Sequence, residues 1–257
     1  MSINLTRRLT PDEQELQKKR HELTALVAEL AERELELVTL QAELHAFERE
    51  YLRVVGVRYA ELDEIEAEIA KYFAYLNPKD PKARKQAEQA KAKAQDSKRA
   101  VSEDITKSES QKEFKPGETL RQLFREVAKR IHPDLTTDEM ERQHRHKLMV
   151  EANQAYENGD EARLQAILQA WNRTESIEEE GISVELTRTI RAIVQVREHL
   201  KAIEREINAL KQSVLYQLRE KVIAAQQEER DLFVEMVYQI ERQIAAAKVR
   251  LEKLRVQ

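Results

Sequence analysis

His132-Pro133-Asp134 closes a stretch in which charge and apolarity are ordered. Between Leu120 and Asp134, Arg121, Arg125 and Lys129 recur at i, i+4 and i+8, and Arg130 adjoins the last of them. On a helix that spacing lines up one cationic stripe. Leu120, Leu123, Phe124, Val127 and Ile131 fall on the other side. Proline cannot continue a helix and disfavours helix at the residue before it, so the stripe runs straight into a loop bearing an imidazole and a carboxylate. The residue types leave two readings open. One is a contact surface made of a cationic stripe and a polar turn. The other is a solvated helix face ended by a helix break.

Other chemistry is poorly provided for. No G-x-x-x-x-G-K-[ST], G-x-G-x-x-G or G-x-S-x-G motif occurs, and the chain has 4 glycines. With no cysteine there is no disulfide, thiolate zinc site or cysteine nucleophile. His144 and His146 are two apart on an expected helix, so they point to different faces and cannot chelate one metal. Glu64, Glu66 and Glu68, and Glu178 to Glu180, lie in strongly polar stretches and read as solvated faces and helix-start charges. We therefore expect no enzyme, no cofactor and no metal site.

The elements that must carry these residues are helices. Ala, Leu, Glu, Lys and Arg exceed half of the 257 residues, past the roughly 50% that marks long helices and coiled coils. Charged residues make up 36% at a net charge of −4, which argues against bulk affinity for nucleic acid. No apolar run approaches the roughly 20 residues that span a bilayer, and Met1 to Arg8 hold no apolar signal core. The expected location is cytoplasmic, with no membrane span.

The first arm, 1–76, opens with a capping box, Thr10-Pro11-Asp12-Glu13. Leu16, Leu23, Leu26, Leu30, Leu37, Leu40, Leu44, Phe47 and Tyr51 then form a heptad seam. The seam slips near Gly56, resumes at Leu62, Ile65, Ile69, Tyr72 and Leu76, and stops at Asn77-Pro78. Residues 77–115 are rich in Ala, Lys, Gln and Ser and read as a solvated, partly disordered linker. Its basic start (Lys79, Lys82, Arg84, Lys85) reads as a solvated run rather than a nucleic-acid contact.

A helical module follows over 116–175. Pro116-Gly117-Glu118 opens the striped helix. Thr136-x-x-Glu139 caps the next, which carries Leu148, Met149, Ala152, Ala155 and Tyr156 and stops at Asn158-Gly159. Asp160 caps a short helix with Leu164, Ile167, Leu168 and Trp171. The second arm, 176–257, begins with a capping box at Ser176-x-x-Glu179. It runs through Leu186, Ile193, Val196, Leu200, Ile203, Ile207, Leu210 and Val214, slips near Gln217, and continues to Leu254. Each arm would span roughly 100 Å at about 1.5 Å per residue. The matched lengths predict an antiparallel hairpin within one chain, with a parallel dimer as its rival. Trp171 and the Tyr72-Phe73-Tyr75 cluster are expected to pack the module onto the arms.

Residues 116–158, about a sixth of the chain, resemble the J-domain family of DnaJ-type co-chaperones. In that family a basic helix ends in a His-Pro-Asp loop and the following helix packs back on it, closing with a pattern like F-x-x-I-x-x-A-Y. Met149, Ala152, Ala155 and Tyr156 occupy those four places here, and the last two match. Phe124 stands where the family usually has tyrosine, and Leu135 where a basic residue often follows the loop. The family's first helix, with its Y-x-x-L-G-V signature, is not visible upstream, where residues 100–113 offer only Val101 and Ile105. A Gly/Phe-rich linker and a cysteine-rich zinc domain are also absent, which places the resemblance with the class C type, a J-domain on an unrelated body.

The resemblance implies docking on a DnaK-type ATPase chaperone and stimulation of its ATP hydrolysis. The docking residues would be His132, Pro133, Asp134, Arg121, Arg125, Lys129 and Arg130. The stripe would meet an acidic surface, and the arms would select an unidentified client, scaffold or location. The loop is expected to lie away from the packed core, so that changing His132 or Asp134 leaves the fold nearly intact. The competing reading is a structural coiled-coil scaffold with an inactive J-like module.

Overall fold

The computed structural model describes residues 10–108, 114–174 and 181–256. Every regular element among them is helical, and they contain no strand, as the composition predicts. The N-terminal eight residues, the expected capping box Ser176–Glu179 and the Glu178–Glu180 group lie outside the described residues. None of the described helices is long and apolar enough to cross a membrane.

Helix α1 runs from Pro11 to Tyr51. Its capping box is reciprocal: the Glu13 amide donates to Thr10 Oγ1 (3.3 Å) and the Thr10 amide to Glu13 Oε2 (2.7 Å). A π-helical turn over Leu52–Gly56 joins α1 to α2, Val57–Leu76. That wider turn takes up the slip in the apolar seam near Gly56. Then come α3 (Pro81–Ser108), α4 (Glu118–Ile131), a 3-10 turn (Pro133–Leu135), α5 (Glu139–Glu157) and α6 (Glu161–Thr174). The second arm is three helices rather than one: α7 (Ile182–Gln212), α8 (Val214–Gln227) and α9 (Leu232–Arg255). The breaks fall at residues that favour helix starts. Ser213 Oγ accepts from the Tyr216 amide (3.2 Å) and Asp231 Oδ1 from the Val234 amide (3.1 Å). Glu229, at φ 59°, takes the left-handed conformation in the turn between α8 and α9.

The chain forms two compact units, Met1–Ala42 with Phe114–Gln212 and Glu43–Glu113 with Ser213–Gln257. Each unit takes part of both arms, so the boundaries at 76, 115 and 175 follow the order of the chain and not its compact bodies.

In the first unit, α1 and α7 lie side by side. Arg20 pairs with Glu185, Glu22 with Arg197, Glu34 with His199, and Gln41 with Glu206. The numbers rise together, 165 or 175 residues apart, so the two helices run parallel. This corrects the antiparallel hairpin. The same direction recurs in the second unit, where Glu61 pairs with Lys248 and Glu68 with Arg255, each 187 residues apart.

The element missing from the hairpin expectation is α3. Residues 81–108 are a helix returning on α2, not a loose linker. Asp63 meets Lys93 (2.7 Å) and Ser97 (2.6 Å), Glu64 meets Lys98, and Gly56 faces Val101 in an antiparallel sense. Ala83 is buried, and Ala87, Ala90, Ala94 and Ser97 are half-buried at steps of three and four. Small residues build this seam, which a search for large apolar side chains passes over. The second unit's core holds Phe47, Val55, Leu62, Val222, Phe233, Ile240 and Ile244, with the Phe47 and Phe233 rings 5.7 Å apart.

Candidate functional site

The site is built on α4 and α5 in the first unit. The apolar face of α4 buries Leu120, Phe124, Val127, Ala128 and Ile131. Opposite lie Met149, Ala152, Ala155 and Tyr156 of α5, with the Phe124 and Tyr156 rings 5.0 Å apart. Tyr156 Oη shares a hydrogen bond with Thr39 Oγ1 (2.8 Å). Leu164, Ile167 and Trp171 of α6, and Ala31, Leu35 and Val38 of α1, complete the same core. These two helices cover the apolar faces of α4 and α5. Trp171 is buried in this core, with His144 and Arg145 of α5 beside its ring. Tyr75, by contrast, is exposed, and Phe73 largely so.

The start of α5 corrects one expectation. Asp138, not Thr136, is the N-cap, accepting from the Glu141 amide (2.7 Å). Thr136 instead braces the turn: its Oγ1 donates to Glu141 Oε2 (2.6 Å) and accepts from the Asp138 amide (3.2 Å). Gly159, at φ 68°, ends α5 in the left-handed region where glycine carries no Cβ penalty.

Proline at 133 ends α4 and starts the 3-10 turn. The last carbonyls of α4 would be unpaired there. Arg145 of α5 answers them: Nη1 donates to the carbonyls of Arg130 (3.1 Å) and His132 (3.3 Å), while Nε and Nη2 donate to Glu141. Its guanidinium lies 4.6 Å from the centre of the Trp171 ring. Stacking and bonding together fix the loop.

His132 is buried, its side chain 2% exposed, which overturns the expectation of a loop away from the packed structure. Its Nδ1 accepts from the Asp134 amide (3.1 Å), and its Nε2 lies 3.2 Å from Glu34 Oε1. An acceptor at Nδ1 requires the proton on Nε2, so this imidazole is neutral and donates to Glu34. His199 lies between two carboxylates, Nε2 3.0 Å from Glu34 Oε1 and Nδ1 3.1 Å from Asp134 Oδ2. Both its nitrogens must donate, so His199 is an imidazolium here. Its pKa is raised, first by the hydrogen bond to Glu34 and further by the charge of Asp134, against burial. Burial alone would lift Glu34, but the donors His132 and His199 reverse this and hold it at about 2. Gln195 of α7 adds a further anchor, its amide oriented to accept from Arg142 (2.9 Å) and to donate to the Asp134 carbonyl (3.3 Å).

Glu34, His132 and His199 also have the residue types and spacing of a metal set, their ligand atoms within 4.8 Å of one another. The chemistry does not fit. A metal-bound histidine donates from its other nitrogen, yet His132 Nδ1 accepts a backbone N–H and could offer Nε2 to a metal only as an imidazolate. The cluster reads instead as a hydrogen-bonded ionic clamp.

The expected stripe is divided. Arg125 pairs with Glu32 of α1 (2.9 Å) and Glu118 (3.0 Å). Arg130 pairs with Glu126 and donates to Asn172. Lys129 is exposed and Arg121 half-buried. Pro133 and Asp134 are also half-buried. Sequence reasoning missed Glu32, Glu34, Arg145, Gln195 and His199. A signal existed for α1: Ala31, Leu35 and Val38 form a second apolar stripe beside the heptad seam, and Glu32 and Glu34 flank it. No local signal marks His199. No protein-family model matches the chain, no curated protein matches it, and no solved structure matches it.

Proposed function

We propose that this chain is a J-domain-type co-chaperone that docks on a DnaK-type ATPase chaperone and stimulates its ATP hydrolysis, with the coiled-coil arms selecting client or location. The observation that carries the reading is the module itself. A cationic amphipathic helix, α4, ends in His132-Pro133-Asp134, and α5 packs back on it through Phe124 and Tyr156. The exposed Lys129, with Arg121, offers charge that steers encounter with an acidic partner. The chain itself binds no nucleotide in this reading.

A second reading, a structural scaffold with an inactive J-like module, is favoured by one specific observation: His132 is buried in an ionic clamp. Single-turnover ATP hydrolysis by DnaK-type chaperones from the same cell separates the two. Wild type should accelerate it. Lys129→Glu, at an exposed position, should reduce the acceleration at least several-fold at low salt and leave unfolding unchanged. Absence of any acceleration, by wild type and by variants with an opened loop, would leave the scaffold reading standing.

A further inference from the structure

We propose that the acidic edge of α1 (Glu32 and Glu34), together with His199 of α7, is a built-in occupant of the docking site that holds the His-Pro-Asp loop closed against the chaperone. This rests on the co-chaperone reading above.

Three kinds of docking group are engaged by the chain itself. The middle cation of the stripe, Arg125, pairs with Glu32. Two residues along α1, Glu34 takes the His132 N–H. Asp134 meets the His199 cation. Each contact satisfies the donor or acceptor that a partner would need: carboxylate for guanidinium, carboxylate for imidazole N–H, cation for carboxylate. The same atoms cannot serve α1, α7 and a chaperone at once.

The loop can open without dismantling the module. The 3-10 turn has no buried residue, and none of His132 to Leu135 belongs to the apolar core shared by α1, α4, α5 and α6. The named contacts that tie it to α1 and α7, through Glu34, His199 and Gln195, are polar. A docking site that is competent in a fraction f of molecules binds with an apparent Kd larger by 1/f, so weakening the clamp tightens apparent docking.

The test is the full chain carrying Glu32→Gln, Glu34→Gln and His199→Gln together, read two ways. Amide hydrogen exchange at Asp134, Leu135 and Thr136 should quicken at least tenfold while the amides of Phe124 and Ala152 keep their protection. The concentration of chain giving half-maximal stimulation of a DnaK-type ATPase should fall about tenfold, equivalent to about 1.4 kcal/mol. His132→Gln added to the triple variant should abolish the gain. Glu32→Gln alone replaces an exposed partner and leaves the buried clamp intact, so it should give a smaller gain that vanishes at high salt.

Unchanged exchange at the loop in the triple variant overturns the closure, whatever the ATPase does. Faster exchange with stimulation equal to wild type also overturns it, while the co-chaperone reading stands. Faster exchange with no stimulation by any variant overturns both, and the two readouts tell these failures apart.

Discussion

Replacing Glu34 by Gln tests the clamp at its hub, because one carboxylate oxygen serves two imidazoles. The carboxyl falls from an ordinary 4.5 to about 2 in the folded chain, the two donors outweighing burial. At about 1.36 kcal/mol per pKa unit, that is on the order of 3 kcal/mol held at neutral pH. The glutamine amide oxygen can still accept from one imidazole, so the expected loss is about 2 kcal/mol. The sign in pH follows from the directions. Glu34 is depressed when folded, so its contribution is complete above the unfolded value of about 4.3 and is lost as pH falls toward 2. His199 is raised when folded, so its contribution is complete below about 6.5 and is lost as pH rises through the raised value. The two share one hydrogen bond and do not add. The first unit should therefore be most stable between about pH 5 and 6.5. Trp171 is the single tryptophan and lies in this unit's core, so its fluorescence during urea unfolding reports the unit directly. Wild type should lose stability on both sides of the window, Glu34→Gln should flatten the acid side, and His199→Gln the alkaline side. A change below about 0.5 kcal/mol for Glu34→Gln at pH 6, the size of an ordinary surface substitution, would refute the clamp as a source of stability.

Arg145→Ala removes donors to the Arg130 and His132 carbonyls and to Glu141 and uncovers Trp171, so unfolding at pH 6 should require about 2–3 kcal/mol less, with a shift in tryptophan emission on the folded baseline. In the second unit, Asp63→Leu tests whether the buried Asp63 carboxylate, paired with the exposed Lys93 and with Ser97, sets the α2–α3 register. Exchanging this buried carboxylate for an apolar side chain while Lys93 stays in solvent should change helix content and stability little, while spin labels on α2 and α3 should report a broader distance distribution than wild type.

Several helix ends were legible because their signals are local. The Thr10 capping box, the stop at Asn77, the break at Pro133, the cap at Asp160 and the turn at Gly159 depend on residues within one turn of each other. The direction of the arms was not. Matched length is compatible with either sense, and what decides it is the return helix α3. Its seam is alanine at 83, 87, 90 and 94, which buries little area per residue and carries no large-apolar periodicity. Asp63 and its two partners hold a register there that apolar contact alone specifies weakly.

The site divides along the same line. The stripe and the loop are contiguous in sequence, and their spacing is enough to recognise them. What occupies them is 98 residues upstream at Glu34, and the other half of the clamp is 165 residues beyond that at His199. Neither has a local pattern that marks a partner. A glutamate between apolar neighbours on α1 reads as an ordinary helix position until α4 and α7 are laid against it. The tautomer of His132 then follows from one backbone N–H, the charge of His199 from two carboxylates, and the exclusion of a metal from both. A tripeptide that in isolation suggests an exposed contact is thus, by placement, a turn whose histidine is buried and whose His132 Nε2 donor is held by Glu34 of α1.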